Sequence, residues 1–447
     1  MFSPINKFKP KQGGGTEISM LEKINSIIWG VPLILLMLSL GIYLSVGGGF
    51  FQIRRIGYVF KNTVLCREKG TGGVSVFESV WASVGSSVGV GNIAGVAGAV
   101  YAGGAGVLFW MIISAVLGMS IKFAEILLAA KYRKSADGKN FGGPMYYMRD
   151  GAGFKILPVI FSCLCIMCCL LMGNAVQSAE ISEAAARLGI SRIYSATAFT
   201  VISAFICIGG MKSIGKAASV IVPFMASFYI FGTIIAIIFN LDKLPDVLFR
   251  IVSEAFDTGK TPSGKIAVFY AMQLGFSRGI FSNESGLGTA PIAHAAAENA
   301  EGVRQAMWGI FEVVLDTLTI CTLTGIAVLI SGENTAHEAF GKLFFGGERF
   351  VDIAIIFFAF STVIGWQYFG NVCLGYLTDR EFKTWKIVYS AVTFLSMYYA
   401  GELTGIIWTA ADCINGLMTF VNIIALFALS GYVIKEEKKI LNNRCNG

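Results

Sequence analysis

Ser86-Ser87-Val88-Gly89-Val90-Gly91-Asn92-Ile93-Ala94-Gly95 lies inside an apolar segment long enough to span a bilayer, yet it is too rich in glycine for a plain helix. Glycine in a helix interior costs about 1 kcal/mol relative to alanine. Within hydrocarbon, every backbone N–H and C=O that a break frees also needs a partner. A second interrupted segment, Gly275-Phe276-Ser277-Arg278-Gly279 running into Ser282-Asn283-Glu284-Ser285-Gly286, follows about 190 residues later. Glycine-broken spans at matching places in two halves of a chain point to the binding site of a secondary transporter.

The composition agrees with a bilayer as solvent. Hydrophobic residues make up 55% and charged residues 14%, against roughly 25% charged in soluble domains, and the mean hydropathy is +0.67. The apolar run 27–47 follows a polar start and is of spanning length, which predicts an uncleaved first helix. Eleven spans are expected, at 27–47, 76–102, 105–131, 155–180, 193–211, 217–240, 265–298, 305–331, 350–376, 385–401 and 403–433. With the N-terminus outside, the cytoplasmic loops and tail hold 20 Lys and Arg and the opposite side 12. That bias predicts a cytoplasmic C-terminus in a multi-pass protein of the plasma (inner) membrane. The net charge of +7 is thereby read as topology, and no nucleic-acid partner is expected. Of ten cysteines, Cys163, Cys165, Cys168 and Cys169 share one apolar segment. Four buried thiolates without polar neighbours are costly, so these read as small hydrophobic side chains and no metal is expected there.

A broken helix exposes two opposed half-helix ends. One presents free N–H groups and partial positive charge, which suit a carboxylate. The other presents free carbonyls, which suit Na⁺ or an ammonium group. A pair of breaks can therefore hold a zwitterion and a cation with few charged side chains, and an amino acid with sodium is the expected cargo. Gly91-x-x-x-Gly95 alone would read as close helix packing; Gly85 and Gly89, with polar Ser86, Ser87 and Asn92 alongside, favour a break.

Several motifs together carry a family likeness. Gly89-Val90-Gly91-Asn92-Ile93-Ala94-Gly95-Val96, Lys122-Phe123-Ala124-Glu125, Gly143-Pro144-Met145-Tyr146-Tyr147 and the long run Gly279-Ile280-Phe281-Ser282-Asn283-Glu284-Ser285-Gly286-Leu287-Gly288-Thr289-Ala290-Pro291-Ile292-Ala293-His294 resemble the alanine/glycine:cation symporter family. Ser361-Thr362-Val363-Ile364-Gly365-Trp366 and Ala411-Asp412 with Asn415 add to it. The resemblance implies an all-α leucine-transporter-type core of two inverted five-helix repeats with one extra N-terminal helix. The boundaries are then 1–26 for a polar segment, 27–75 for the extra helix and a basic cytoplasmic linker, 76–240 and 265–433 for the repeats, 241–264 for an extracellular loop and 434–447 for a cytoplasmic tail.

The same resemblance implies symport of a small neutral amino acid, alanine or glycine, with Na⁺ as co-transported ion and no cofactor. H⁺ coupling and a glutamine-type cargo are the alternatives. By position, the Val90 and Gly91 amides would take the substrate carboxylate, with Asn92, Gln177, Gly275, Phe276, Ser277 and Trp366 lining the site. The carbonyls of Gly85 and Val88 would bind sodium beside the hydroxyls of Ser361 and Thr362. Many members carry threonine where this chain has Val90, a change that backbone binding tolerates.

Other buried polar residues are expected to act in pairs. Lys122 and Glu125 stand one helical turn apart and should neutralise each other. Arg278 with Glu284, and Asp316, are intramembrane charges expected in structural or gating roles. An enzyme reading of Ser285 with His294 and Glu298 fails on spacing, since nine residues on one helix separate serine and histidine by two and a half turns, and no His-Glu-x-x-His occurs. A passive channel is the other rival, and only a transporter can accumulate its cargo.

Overall fold

The computed structural model describes residues 15–64, 73–136, 138–257, 262–298, 301–378, 383–401 and 404–442; the start of the polar N-terminal segment, part of the basic linker and the end of the tail lie outside them. A helix α1, Gly15–Ile28, precedes α2, Val31–Gly47, so helical structure starts earlier than the polar composition of 1–26 suggested. Pro32 sits in the first turn of α2, where a missing N–H leaves nothing unpaired. Two short helices, α3 (Phe51–Arg54) and α4 (Ile56–Asn62), lead away from it.

The rest is two successions of long apolar helices, each opening with a broken one. In the first, α5 (Val76–Ser87) is started by a reciprocal cap in which Ser75 Oγ accepts the Glu78 N–H at 3.1 Å and Glu78 Oε2 accepts the Ser75 N–H at 2.9 Å. It ends at the glycines, and after a short tight turn α6 (Ala94–Gly103) leaves at 55° to it. Then come α7 (Gly106–Lys131), a small hairpin of β1 (Lys134–Ala136) and β2 (Lys139–Phe141), α8 (Pro144–Tyr146), α9 (Leu157–Leu170) continuing through a wide turn into α10 (Gln177–Arg187), α11 (Arg192–Ile208) and α12 (Gly210–Ile238).

Where 241–264 was expected to be loop, α13 (Leu244–Phe256) packs against α7. Its buried side chains Val247, Ile251 and Ala255 recur every fourth residue, the spacing of one helix face. Glu254 Oε2 accepts the Ala105 N–H at 2.8 Å and Trp110 Nε1 donates to the Ala255 carbonyl at 3.3 Å.

The second succession is α14 (Pro262–Asn283) and α15 (Ala290–Ala295), then α16 (Gly302–Val313) running through a wide turn into α17 (Thr322–Ser331), α18 (Ala336–Leu343), α19 (Gly347–Thr378), α20 (Lys383–Tyr398) and α21 (Thr404–Asn442). Helix α21 crosses the expected boundary at 433 without interruption, and Arg55 donates to the Leu441 carbonyl at 2.9 Å near its end.

Among the described residues, seven helices are long and apolar enough to cross a membrane, or eight with the bent pair α5 and α6. The expected spans 193–211, 265–298 and 385–401 correspond to the 17-residue α11, the broken α14/α15 and the 16-residue α20. At the end of the bundle bearing the hairpin, a cavity of about 970 Å³ is lined by Lys134, Lys139, Arg149, Lys212 and Lys386, with Glu298 among them, and reaches inward to Gln367.

Candidate functional site: two helix breaks and the groups that bridge them

At the first break the backbone and four side chains meet in a small volume. Ser361 Oγ on α19 lies 2.9 Å from the Gly85 carbonyl oxygen and 2.9 Å from that of Phe358. Thr362 Oγ1 lies 3.2, 3.4 and 3.1 Å from the carbonyl oxygens of Gly85, Val88 and Phe358. Each hydroxyl has one proton and donates to one carbonyl at a time, so oxygens outnumber protons here. Gly85, Val88, Ser361 and Thr362, expected as one set, are together and fully buried.

On the other side of the break, Gln177 at the start of α10 accepts the Val90 N–H on Oε1 at 3.1 Å and donates to the Met172 carbonyl at 3.3 Å. The wide turn 171–176 that precedes it loosens the helix, which aims Gln177 at the break. Asn92 Oδ1 accepts the Gly89 N–H at 3.0 Å and closes the tight turn. A Cβ on Gly89 would stand 2.7 Å from Thr362 Oγ1 and 2.9 Å from Gln177 Oε1, so this position admits no side chain. Val90, Gly91, Asn92 and Gln177 therefore lie together at the first break. Trp366 is fully buried and donates from Nε1 to the Ser86 carbonyl at 3.1 Å, its ring pressed on Gly173 of the wide turn.

The second break falls later than the glycines suggested. Gly275, Phe276 and Ser277 lie inside continuous α14, two turns before its end, and are not at the opening. Gly275 gives close packing on α7, where a Cβ would come within 2.8 Å of the Val107 carbonyl, and Phe276 lies beside Trp110, ring centroids 6.4 Å apart. The chain opens instead over Glu284-Ser285-Gly286-Leu287-Gly288, with Gly286 and Gly288 at φ of +86° and +87° and Glu284 at +55°. Glycine takes that left-handed region freely, and other residues seldom do. The aromatic residue that reaches the first break is Phe281, whose ring would be 2.9 Å from a Cβ on Gly91 and which stacks on Trp408 at 5.5 Å. Its place on the last turn of α14, facing the first break, becomes legible only once that helix end is fixed.

The buried charges pair differently from the expectation as well. Lys122 Nζ meets Glu312 at 3.1 Å and the Asn283 carbonyl at 2.6 Å, because both helices present oxygen to it at closer range than its neighbour on the same turn. Glu125 instead accepts the Gly286 N–H at 3.1 Å and Asn422 Nδ2 at 2.5 Å. Arg278 turns away from Glu284 and makes a two-pronged pair with Asp412 of α21, at 3.0 and 2.8 Å, with its guanidinium 5.4 Å from the Phe281 ring centroid and 6.0 Å from that of Trp408. Asp316, in the wide turn 314–321, joins the two breaks. Its carboxylate accepts Asn92 Nδ2 at 2.8 Å from the first and Ser282 Oγ at 2.5 Å from the second, with Thr317 Oγ1 at 2.8 Å. Ser282 stands within the second interrupted segment and the family motif, but no role was expected of it.

Both ring nitrogens of His294 are taken, by Glu312 at 2.7 Å and Gln305 at 2.6 Å, and His337 stands by Asp352 at 3.0 Å. The spacing Gly85-Ser86-Ser87-Val88-Gly89 matches that of a nucleophile elbow, but Ser87 donates to the Val84 carbonyl at 3.2 Å. No serine or cysteine is hydrogen-bonded to either histidine among the described residues. Cys165, Cys168 and Cys169 are buried, and Cys168 Sγ is 2.7 Å from Asn415 Oδ1. At the cavity rim, hydrogen bonding from Arg149 holds the Asp150 carboxyl below its usual range, with Lys134 adding to it.

Comparison with known proteins places this arrangement. Residues 16–447 match the family model described as the sodium:alanine symporter family. A transporter from Haemophilus influenzae is 39% identical over 94% of this chain and 95% of its own length. The sodium/alanine symporter AgcS of Methanococcus maripaludis is 36% identical over 96% of this chain and 98% of its own. Among solved structures, MhsT in complex with L-phenylalanine superposes with a TM-score of 0.59 over 84% of this chain and 100% of its own, at 14% identity. That likeness shows the leucine-transporter-type fold.

Proposed function

The chain belongs to the sodium:alanine symporter family, and from that premise we propose that it imports a small neutral amino acid, alanine or glycine, together with Na⁺ by alternating access. The observation that carries the ion is the oxygen-rich corner at α19, where two hydroxyls stand among three carbonyl oxygens. Na⁺ enters there as cargo, held by Gly85 O, Val88 O, Ser361 Oγ and Thr362 Oγ1, since hard oxygen ligands without formal charge suit a monovalent cation.

The substrate carboxylate goes to the Val90 and Gly91 amides. On arrival it replaces Gln177 Oε1 as the acceptor of the Val90 N–H, and the Gln177 amide is then free to hold the ligand. With Phe281 close against Gly91 and Trp366 on the Ser86 carbonyl, a methyl side chain would be taken in preference to an isobutyl or benzyl group. Overpacking costs about 1–3 kcal/mol. A charged side chain is rejected because an unpaired charge at this depth costs about 2.5 kcal/mol or more.

The Arg278–Asp412 pair, eight residues into α21, stands by the ring of Phe281, which itself meets Gly91 of the first break. The cavity with its five basic side chains faces the cytoplasm by the positive-inside argument. The N-terminus is then outside and the C-terminus inside. Uptake of labelled alanine, glycine and glutamine into proteoliposomes under imposed Na⁺ or H⁺ gradients tests the reading. Alanine or glycine should accumulate on a Na⁺ gradient, while equilibration without accumulation, or competition by leucine or lysine equal to that by glycine, refutes it.

A further inference from the structure

Four carboxyl side chains are fully buried around the second break, and three have their charge met. Glu312 has Lys122 at 3.1 Å, His294 at 2.7 Å and the Ser83 hydroxyl at 3.0 Å. Asp316 accepts from Asn92, Ser282 and Thr317. Glu125 accepts from the Gly286 N–H and Asn422. Glu284 differs. Its Oε2 accepts from the Thr289 hydroxyl, while Oε1 has no hydrogen-bond partner among the described residues although the side chain is 0% exposed. The adjoining Ser285 hydroxyl, 1% exposed and held against Gly118 one turn from Lys122, is likewise unpartnered.

The charged groups that face Glu284 are Lys122 from α7 and Glu312 and Asp316 from the α16–α17 span, with the Cys168 thiol of α9 also titratable nearby. Lys122 is the one cation among them, and it is already committed to Glu312 and the Asn283 carbonyl. An ionised carboxylate with a bare oxygen in such surroundings is costly, and the group either gains a cation or takes a proton. A proton needs no further ligands, and a protonated carboxyl still accepts the Thr289 hydrogen bond.

Resting on the transport reading above, we propose that Glu284 is a proton-binding site at the second break, separate from the oxygen corner at the first, and that its proton travels with the amino acid. In the step, an O–H bond forms at Oε1 with a proton from the side of entry. The same bond breaks after the breaks rearrange, so the proton leaves on the other side and no electron changes hands.

The test uses the full chain in proteoliposomes carrying an internal pH dye, with equal Na⁺ on both sides and an inward alanine gradient. Alanine entry should acidify the lumen, and the half-saturating alanine concentration should change by up to about tenfold per pH unit on one flank of the profile, as one linked proton requires. Glu284→Gln, which keeps the shape, should move alanine without acidification and with less than about a twofold change across the same pH range. Glu284→Asp keeps a titratable group and should retain a pH dependence with a displaced midpoint, which guards against a Gln variant that misfolds. Absence of alanine-linked acidification in the wild type overturns the proposal, as does a wild-type pH profile in Glu284→Gln or a flat one in Glu284→Asp. Failure of the transport reading is distinct: no Na⁺-driven accumulation of alanine by the wild type.

Discussion

The two breaks occupy matching places in the two successions of helices, but they are built from opposite materials. The first is lined by neutral groups: carbonyls of Gly85 and Val88, hydroxyls of Ser361 and Thr362, and the amides of Gln177 and Asn92. The second is ringed by Lys122, Glu125, Glu284 and Glu312. Neutral dipoles can hold a zwitterion and a sodium ion and then release them, since neither guest faces a fixed full charge. Fixed charges bind one another too firmly for cargo and suit the work of holding elements in register. On the proposed reading the first break takes the amino acid and sodium, while at the second the paired Lys122, Glu312 and Glu125 hold position and Glu284, with one bare oxygen, is the exception.

The largest expected effect tests whether the first break tolerates anything besides its present packing. Gly89→Ala drives a methyl group into both Thr362 and Gln177 and should lower alanine affinity beyond about 150-fold, since it disturbs two binding groups at once. Near-normal uptake would show that the break is roomier than its geometry. Next comes Gln177→Ala, which removes one polar contact. Isothermal binding should show affinity reduced roughly 10- to 150-fold, the worth of one hydrogen bond to a charged group. Unchanged affinity in a well-inserted protein would make Gln177 a mere tie between helices.

Ser361→Ala combined with Thr362→Ala should raise the sodium concentration for half-maximal uptake at least about fivefold, and unaltered sodium dependence would remove the ion from that corner. The smallest effect is expected for Val90→Thr, within about threefold for both alanine and sodium, because the backbone at that position does the binding. A large gain in sodium affinity would mean that a hydroxyl there enters the ion site, and that the neutral break is more adaptable than its backbone suggests.

The first break was legible in the sequence because glycines and small polar residues there occur where a helix interior should hold neither. Ser361 and Thr362 were found through family resemblance, since nothing in the local pattern of α19 says that they face residues some 275 positions earlier. The second break was expected to start too early, at Gly275, and only the end of that interrupted segment, Glu284-Ser285-Gly286, opens. Gly275 and Gly279 serve close approach of α14 to α7, where Cβ atoms would strike Val107, Trp110 and Ser114, and small residues used for packing look the same in sequence as small residues used for unwinding. Ion pairs were the least legible. Lys122 bypasses Glu125 for Glu312, and Arg278 bypasses Glu284 for Asp412, because in a bundle the nearest opposite charge is set by the neighbouring helix. The helix α13 could have been read from its apolar residues four apart, a stripe that the loop's acidic residues obscured.

Asp316 grips Asn92 with one oxygen and Ser282 with the other, which makes the two broken helices and the α16–α17 span mechanically one lever. A lever of this kind imposes timing: whatever tilts the first broken helix must carry the second with it, so on the proposed reading ion and amino acid would be released to the same side in the same stroke. Evolution can then retune the guests by altering side chains around the first break without touching the gearing. Damage to this single carboxylate, by contrast, would let each half slip independently, and the failure would surface as leak, with ions crossing unaccompanied, in a protein whose binding sites were still intact.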